Sequence, residues 1–117
     1  MSTIHELTKR VIDFHTERDW MKFHTPKEIA VATMVEAAEL LELFQWESKA
    51  TPEGITKNRE KILDEVGDVG MKLLELAHLM QFDLKKIVED KMVKSAAKYP
   101  VEKAKGSDKK YTEYGDS

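Results

Sequence analysis

Cysteine is absent from the 117 residues, which excludes disulfide scaffolds, thiol catalysis, zinc knuckles and iron–sulfur clusters together. Any bound metal must therefore rest on oxygen or imidazole. Long apolar runs are lacking as well. No window approaches the roughly 20 apolar residues of a membrane span, and the first residues, Met1-Ser2-Thr3-Ile4-His5-Glu6-Leu7, hold no basic region leading into an apolar stretch. A cytoplasmic protein without a membrane partner is expected. Positive charge is not in excess: 19 Lys and Arg stand against 22 Asp and Glu, interleaved, for a net charge of −3. No basic stripe is available to neutralise a polynucleotide backbone, so nucleic-acid polymers are not expected as partners. With only five Gly and three Pro, placed like punctuation between Leu-, Glu-, Lys-, Ala- and Met-rich stretches, the composition predicts an all-α chain. One domain of this length hides about 60 to 70% of its unfolded surface, and two copies sharing a core would hide more.

The apolar periodicity predicts four main helices. Ile4, Leu7, Val11 and Phe14 mark the first, on which His5 and His15 read as ordinary helix residues. The period breaks over residues 17–24, a connection rich in aromatics. Thr25-Pro26-Lys27-Glu28 then supplies an N-cap, a proline at the first helical position and a capping box. The second helix, from Pro26 to Trp46, is apolar almost all round, the mark of burial on most sides. Pro52 and Gly54 make residues 48–56 a loop. Ile62, Val66, Val69, Leu73, Leu76 and Met80 mark the third helix, and its interior Gly67 and Gly70 predict close approach of a helix or ligand. Asp83 can cap a fourth helix, which must stop near Tyr99 because Pro100 follows. Residues 1–100 read as an up-and-down four-helix bundle domain, and 101–117 as a polar C-terminal tail.

Two acidic pairs carry the chemistry: Glu36-Ala-Ala-Glu39 on the second helix and Glu65-Val-Gly-Asp68 on the third. The i, i+3 spacing sets both members of a pair on one helix face. Glu36 and Glu39 sit in the apolar run from Val31 to Phe44, where an unpaired carboxylate costs several kcal/mol unless it takes a proton or a cation. If the two helices pack antiparallel, four carboxylates converge with no Lys or Arg inside either motif. Mg²⁺ prefers such all-oxygen ligands, and Mn²⁺ can substitute. The competing reading is of surface acids with solvated or salt-bridged charges. Glu42 continues the face of Glu39 and reads as an acceptor behind the ligands. Glu75-Leu-Ala-His78 is a Glu-x-x-His pattern of di-iron bundles, but those need two such motifs. Only one is present, which leaves His78 as a partly buried helix histidine.

With these residues in view, the sequence resembles the MazG-like, all-α nucleoside triphosphate pyrophosphohydrolase superfamily, nearest its dCTP pyrophosphatase branch. The resemblance runs from about Leu7 to Pro100, through Glu17-Arg18-Asp19-Trp20, Phe23-His24, Glu36-x-x-Glu39, Glu42-Leu43-Phe44-Gln45-Trp46, Glu65-x-x-Asp68-Val69, Lys91-Met92 and Lys98-Tyr99-Pro100. It implies Mg²⁺-dependent hydrolysis of the α–β phosphoanhydride of a nucleotide, giving a nucleoside monophosphate and pyrophosphate in the service of nucleotide-pool sanitation. Glu36, Glu39, Glu65 and Asp68 would hold the magnesium, with Glu36 or Glu39 helping to deprotonate the attacking water. Trp20, His24 and Trp46 match positions around the base, Lys91 and Lys98 match basic positions near the phosphates, and Tyr99 closes the motif. A homo-oligomer is implied, a tetramer as a dimer of dimers or a dimer.

The departures fall in the pocket. Lys72 replaces a tyrosine of the branch, Ser95 an asparagine and Val11 a histidine. A serine hydroxyl offers less than an asparagine amide, so the metal ligands are intact while base preference, for dCTP or a modified nucleotide, is open. Lys72, one turn beyond Asp68, is placed to reach a phosphate or an acid of the site. The alternative function is a nucleotide- or metal-binding helical oligomer without turnover.

Overall fold

Threonine side chains write the starts of three helices. In the computed structural model, which describes residues 3–115, Thr3 accepts a hydrogen bond from the Glu6 N–H at 3.1 Å and opens α1, Ile4–Glu17. Thr25 does the same for the Glu28 N–H at 3.2 Å, with Pro26 at the first position, and opens α2, Pro26–Glu42. This is the start that Thr25-Pro26-Lys27-Glu28 predicts. Between them, α1 ends in a Schellman motif: Asp19 takes φ 57°, its N–H donates to the Thr16 carbonyl, and the Trp20 N–H reaches back to the His15 carbonyl, both at 3.0 Å. That reversal and a 3₁₀ turn at Met21–Phe23 return the chain to the body of the unit.

Helix α2 stops four residues short of Trp46, because the Leu43 and Phe44 N–H groups tighten onto the Leu40 and Leu41 carbonyls. Residues 48–56 are not a loop. All but Thr51 belong to two short helices, α3 at Glu47–Ala50 and α4 at Pro52–Lys57. Pro52 and Gly54 act there as helix punctuation: Thr51 accepts from the Gly54 N–H at 3.1 Å, and Pro52 occupies the first position. Gly54 is required by space, since a Cβ there would stand 2.2 Å from the Ser48 carbonyl oxygen. Helix α5, Arg59–Leu79, ends in a second Schellman motif with Gln81 at φ 58° and the Phe82 N–H on the Ala77 carbonyl at 3.0 Å.

The chain divides into two compact units, Met1–Asp83 and Leu84–Ser117. In the first, α5 packs against both α1 and α2. Val11, Ile29, Leu74 and Ala77 are its buried apolar residues. Helices α2 and α5 are antiparallel, for His24 at the entrance to α2 meets Glu75 while Glu36 further along meets Glu65. Gly67 and Gly70 do not mark a close approach among the described residues of the first unit: a Cβ at either would have nothing within 4 Å. In the second unit, α6 spans Leu84–Lys98, and the segment beyond Pro100 is partly ordered, with α7 at Val101–Ala104 and a 3₁₀ turn at Tyr111–Glu113. Tyrosine rings hold that segment: Tyr111 and Tyr114 stand edge-on to Tyr99 at 6.0 and 5.9 Å. The described residues contain no strand, and no helix among them is long and apolar enough to cross a membrane.

Candidate active site

Helix geometry brings the acids together. The i, i+3 pairs of α2 and α5 face each other across the antiparallel contact, and one carboxylate oxygen from each of Glu36, Glu65 and Asp68 lies within 4.8 Å of the others. Glu36 and Glu65 are half-buried and Asp68 is exposed. Glu39, also exposed, stands within hydrogen-bonding reach of Glu36 and Glu65. Burial, a carboxyl–carboxyl contact with Glu65 and the Asp68 charge push the Glu36 carboxyl above the usual range. The Glu36 charge, more than any other cause, does the same to Glu39, and Glu42 adds a little from the exposed side. One oxygen of Glu36 and one of Glu65 are buried and find no hydrogen-bond donor. Crowded anions with orphaned acceptors fit a hard divalent cation held on oxygen.

The remaining expected residues occupy several places. Trp20 packs edge-on to Phe14 at 5.9 Å, with the Arg18 guanidinium 3.8 Å over the other ring's centre. Trp46, at the entrance to α3, is 62% exposed. Lys72 is half-buried on α5, one turn from Asp68 and one from Glu75, and its charge reaches His15. In the second unit, Lys91, Ser95 and Tyr99 follow one another at i, i+4 and i+8 and line an open groove of about 610 Å³ with Val88 and Met92. Lys98 lies off that line, its Nζ 4.9 Å from the centre of the Tyr111 ring.

His24 makes a contact that the sequence did not foretell. Its Nδ1 touches Oε1 of Glu75, whose other oxygen lies 2.9 Å from Nε2 of His15. The two imidazoles stand edge-to-face at 4.9 Å. Glu75 is fully buried and His15 is 3% exposed, so His15 is not the ordinary helix residue its sequence context predicts. It shares the buried face of Val11, one turn earlier. Burial pushes the His15 imidazole below its ordinary value; the Glu75 charge opposes this, and His24, Lys72 and Arg18 reinforce it. His78, expected to be partly buried, is exposed. One signal did exist: Glu65, Asp68, Lys72 and Glu75 recur at i, i+3, i+7 and i+10, which is a single helix face.

Two antiparallel helices that present Glu-x-x-Glu against Glu-x-x-Asp define a class, and the comparisons agree. The MazG-like family matches residues 31–114, and the chain belongs to that family, as a pyrophosphohydrolase of its dCTP pyrophosphatase branch. Over 114 residues it is 37% identical to dCTP pyrophosphatase 1 of Rattus norvegicus and 35% identical to that of Homo sapiens, covering 95% of this chain and 67% of either relative. A crystal structure of a pyrophosphatase from Archaeoglobus fulgidus superposes with a TM-score of 0.78 at 35% identity, over 86% of this chain and 94% of that one. The family match runs past Pro100 and takes in the tyrosine-held segment.

Proposed function

We propose that this protein hydrolyses a nucleoside triphosphate at its α–β phosphoanhydride in a Mg²⁺-dependent reaction, with dCTP or a modified nucleotide preferred. The observation that carries the reading is the convergence of Glu36, Glu65 and Asp68 beside Glu39, with two buried oxygens lacking a donor. Glu36, Glu39, Glu65 and Asp68 are the residues to hold the ion, and Mn²⁺ is a workable substitute. Bound Mg²⁺ supplies charge neutralisation for the triphosphate and a more acidic water. The water oxygen forms a new bond to phosphorus, the α–β bridge breaks, and nucleoside monophosphate and pyrophosphate leave. The water's proton passes to Glu36 or Glu39.

Trp20 and Trp46 offer ring faces for the base. Lys72, Lys91, Ser95, Lys98 and Tyr99 are the further substrate contacts of the proposal, and His24 sits near the base pocket while held by Glu75. The apolar surface of α2 supports a homo-oligomer, a dimer or a dimer of dimers, in which the main helices complete four-helix bundles. A cytoplasmic place and a nucleotide-pool role complete the proposal. Pyrophosphate release across standard and modified triphosphates, with Mg²⁺ and with a chelator, tests the reading. Release confined to the Mg²⁺ arm supports it and identifies the substrate. Nucleotide binding without release in either arm would overturn it in favour of a binding module.

A further inference from the structure

His15, His24 and Glu75 form a cluster apart from the four acids, and the proposed hydrolysis gives no role to His15 or Glu75. Three elements build it: α1 supplies His15, the connection after its Schellman motif supplies His24, and α5 supplies Glu75. All three belong to the first unit. One donor atom from each lies within 4.8 Å of the others. Both carboxylate oxygens of Glu75, both ring nitrogens of His15 and Nδ1 of His24 are buried, and none has a hydrogen-bond partner.

That last fact decides between two explanations of the close contacts. A metal-free His–Glu–His chain would aim its N–H groups along the N···O lines, because a buried carboxylate left without donors costs about 1 to 3 kcal/mol or more. Here the nitrogens approach the carboxylate, at 2.9 Å for His15, yet fail to align on it. Convergent lone pairs behave this way, since they point at a shared centre and not at one another. Donors that each stand about 2.1 Å from one ion are spaced about 3 to 4 Å apart, so shifts of under about an ångström seat it.

We infer that His15, His24 and Glu75 bind a first-row divalent transition-metal ion, with Zn²⁺ as the type case, at a centre separate from the four acids. Two imidazoles and a carboxylate select such an ion over Mg²⁺, which prefers oxygen throughout. Glu75 lies seven residues beyond Asp68 on α5, about 10 Å along the helix axis. The ion ties the connection between α1 and α2 to α5, and so fixes where α2 begins and how its acids meet those of α5. A +2 charge also balances the buried carboxylate.

The test uses Co²⁺ as a coloured stand-in for Zn²⁺, added to the tag-free chain in excess Mg²⁺ so that the all-oxygen centre is occupied. The expected result is one Co²⁺ per chain with a visible ligand-field band that Zn²⁺ displaces. The band persists in Asp68→Asn, and Co²⁺ affinity drops by roughly 100-fold or more in His24→Ala and in Glu75→Gln. Zn²⁺ also raises Tm by about 5 °C or more in the parent chain, and this rise is lost in His24→Ala. His24 lies on the connection outside the helices, so its variant decides the matter if Glu75→Gln fails to fold. No Co²⁺ bound in excess Mg²⁺, or the same titration in His24→Ala as in the parent, would overturn the inference.

Discussion

Glu36 bears the sharpest conflict between folding and function at a single residue. Its carboxyl is raised by burial, by contact with Glu65 and by the Asp68 charge. A carboxyl whose folded pKa lies above its unfolded value of 4.5 contributes stability that is full below that value and is lost as pH rises through the folded one. In the metal-free protein, Glu36→Gln is expected to raise Tm at neutral pH, with the gain shrinking as pH falls into the carboxylate range. The same variant should lose the Tm increase that Mg²⁺ gives the parent. A Glu36→Gln protein with a lower neutral Tm would show that the carboxylate is satisfied without a cation. The acids were legible because their helical spacing and their apolar setting conflict, and only a cation or a proton resolves that. His15 and Glu75 were not, because each looks ordinary alone and their meeting depends on how α1 packs on α5. Only the polar stripe Glu65, Asp68, Lys72 and Glu75 pointed there, and it reads as well as a solvated face.

Among the elements, three helix starts follow local chemistry closely. Thr3, Thr25 and Thr51 each accept a hydrogen bond from the N–H three residues on, and the middle one is the start that the capping box predicts. Helix ends are less legible. Asp19 and Gln81 adopt left-handed backbone without being glycine, so the usual stop signal is missing at the turns that end α1 and α5. The short pair α3 and α4 went unread because Pro52 and Gly54 signal a loop and a helix start equally well. Space distinguishes them at Gly54, where an added Cβ meets the Ser48 carbonyl. Gly54→Ala is therefore expected to cost about 1 to 3 kcal/mol, read as a lower urea midpoint. An unchanged midpoint would mean that the α3–α4 corner yields freely and does not set the approach to α5.

At the scale of the whole molecule, the apolar girth of α2 exceeds what the other helices of its own unit cover. Met34 is 72% exposed and Leu41 64%, and with Val31 and Val35 they recur at helical spacing. Burying such a side chain contributes about 1.5 to 3 kcal/mol, which an oligomer gains and a monomer forgoes. The paired change Met34→Lys and Leu41→Lys is expected to shift sedimentation toward the monomer, and the parent's sedimentation profile in that variant would rule out α2 as the interface. The central claim is narrower than the assembly: the four acids of α2 and α5 form a metal-dependent hydrolytic centre. Its most direct test is pyrophosphate release in Mg²⁺ by Glu65→Gln and Asp68→Asn, each checked for retained helicity. The account predicts a loss of roughly 100-fold or more in both. Parent-level release from either folded variant would contradict it.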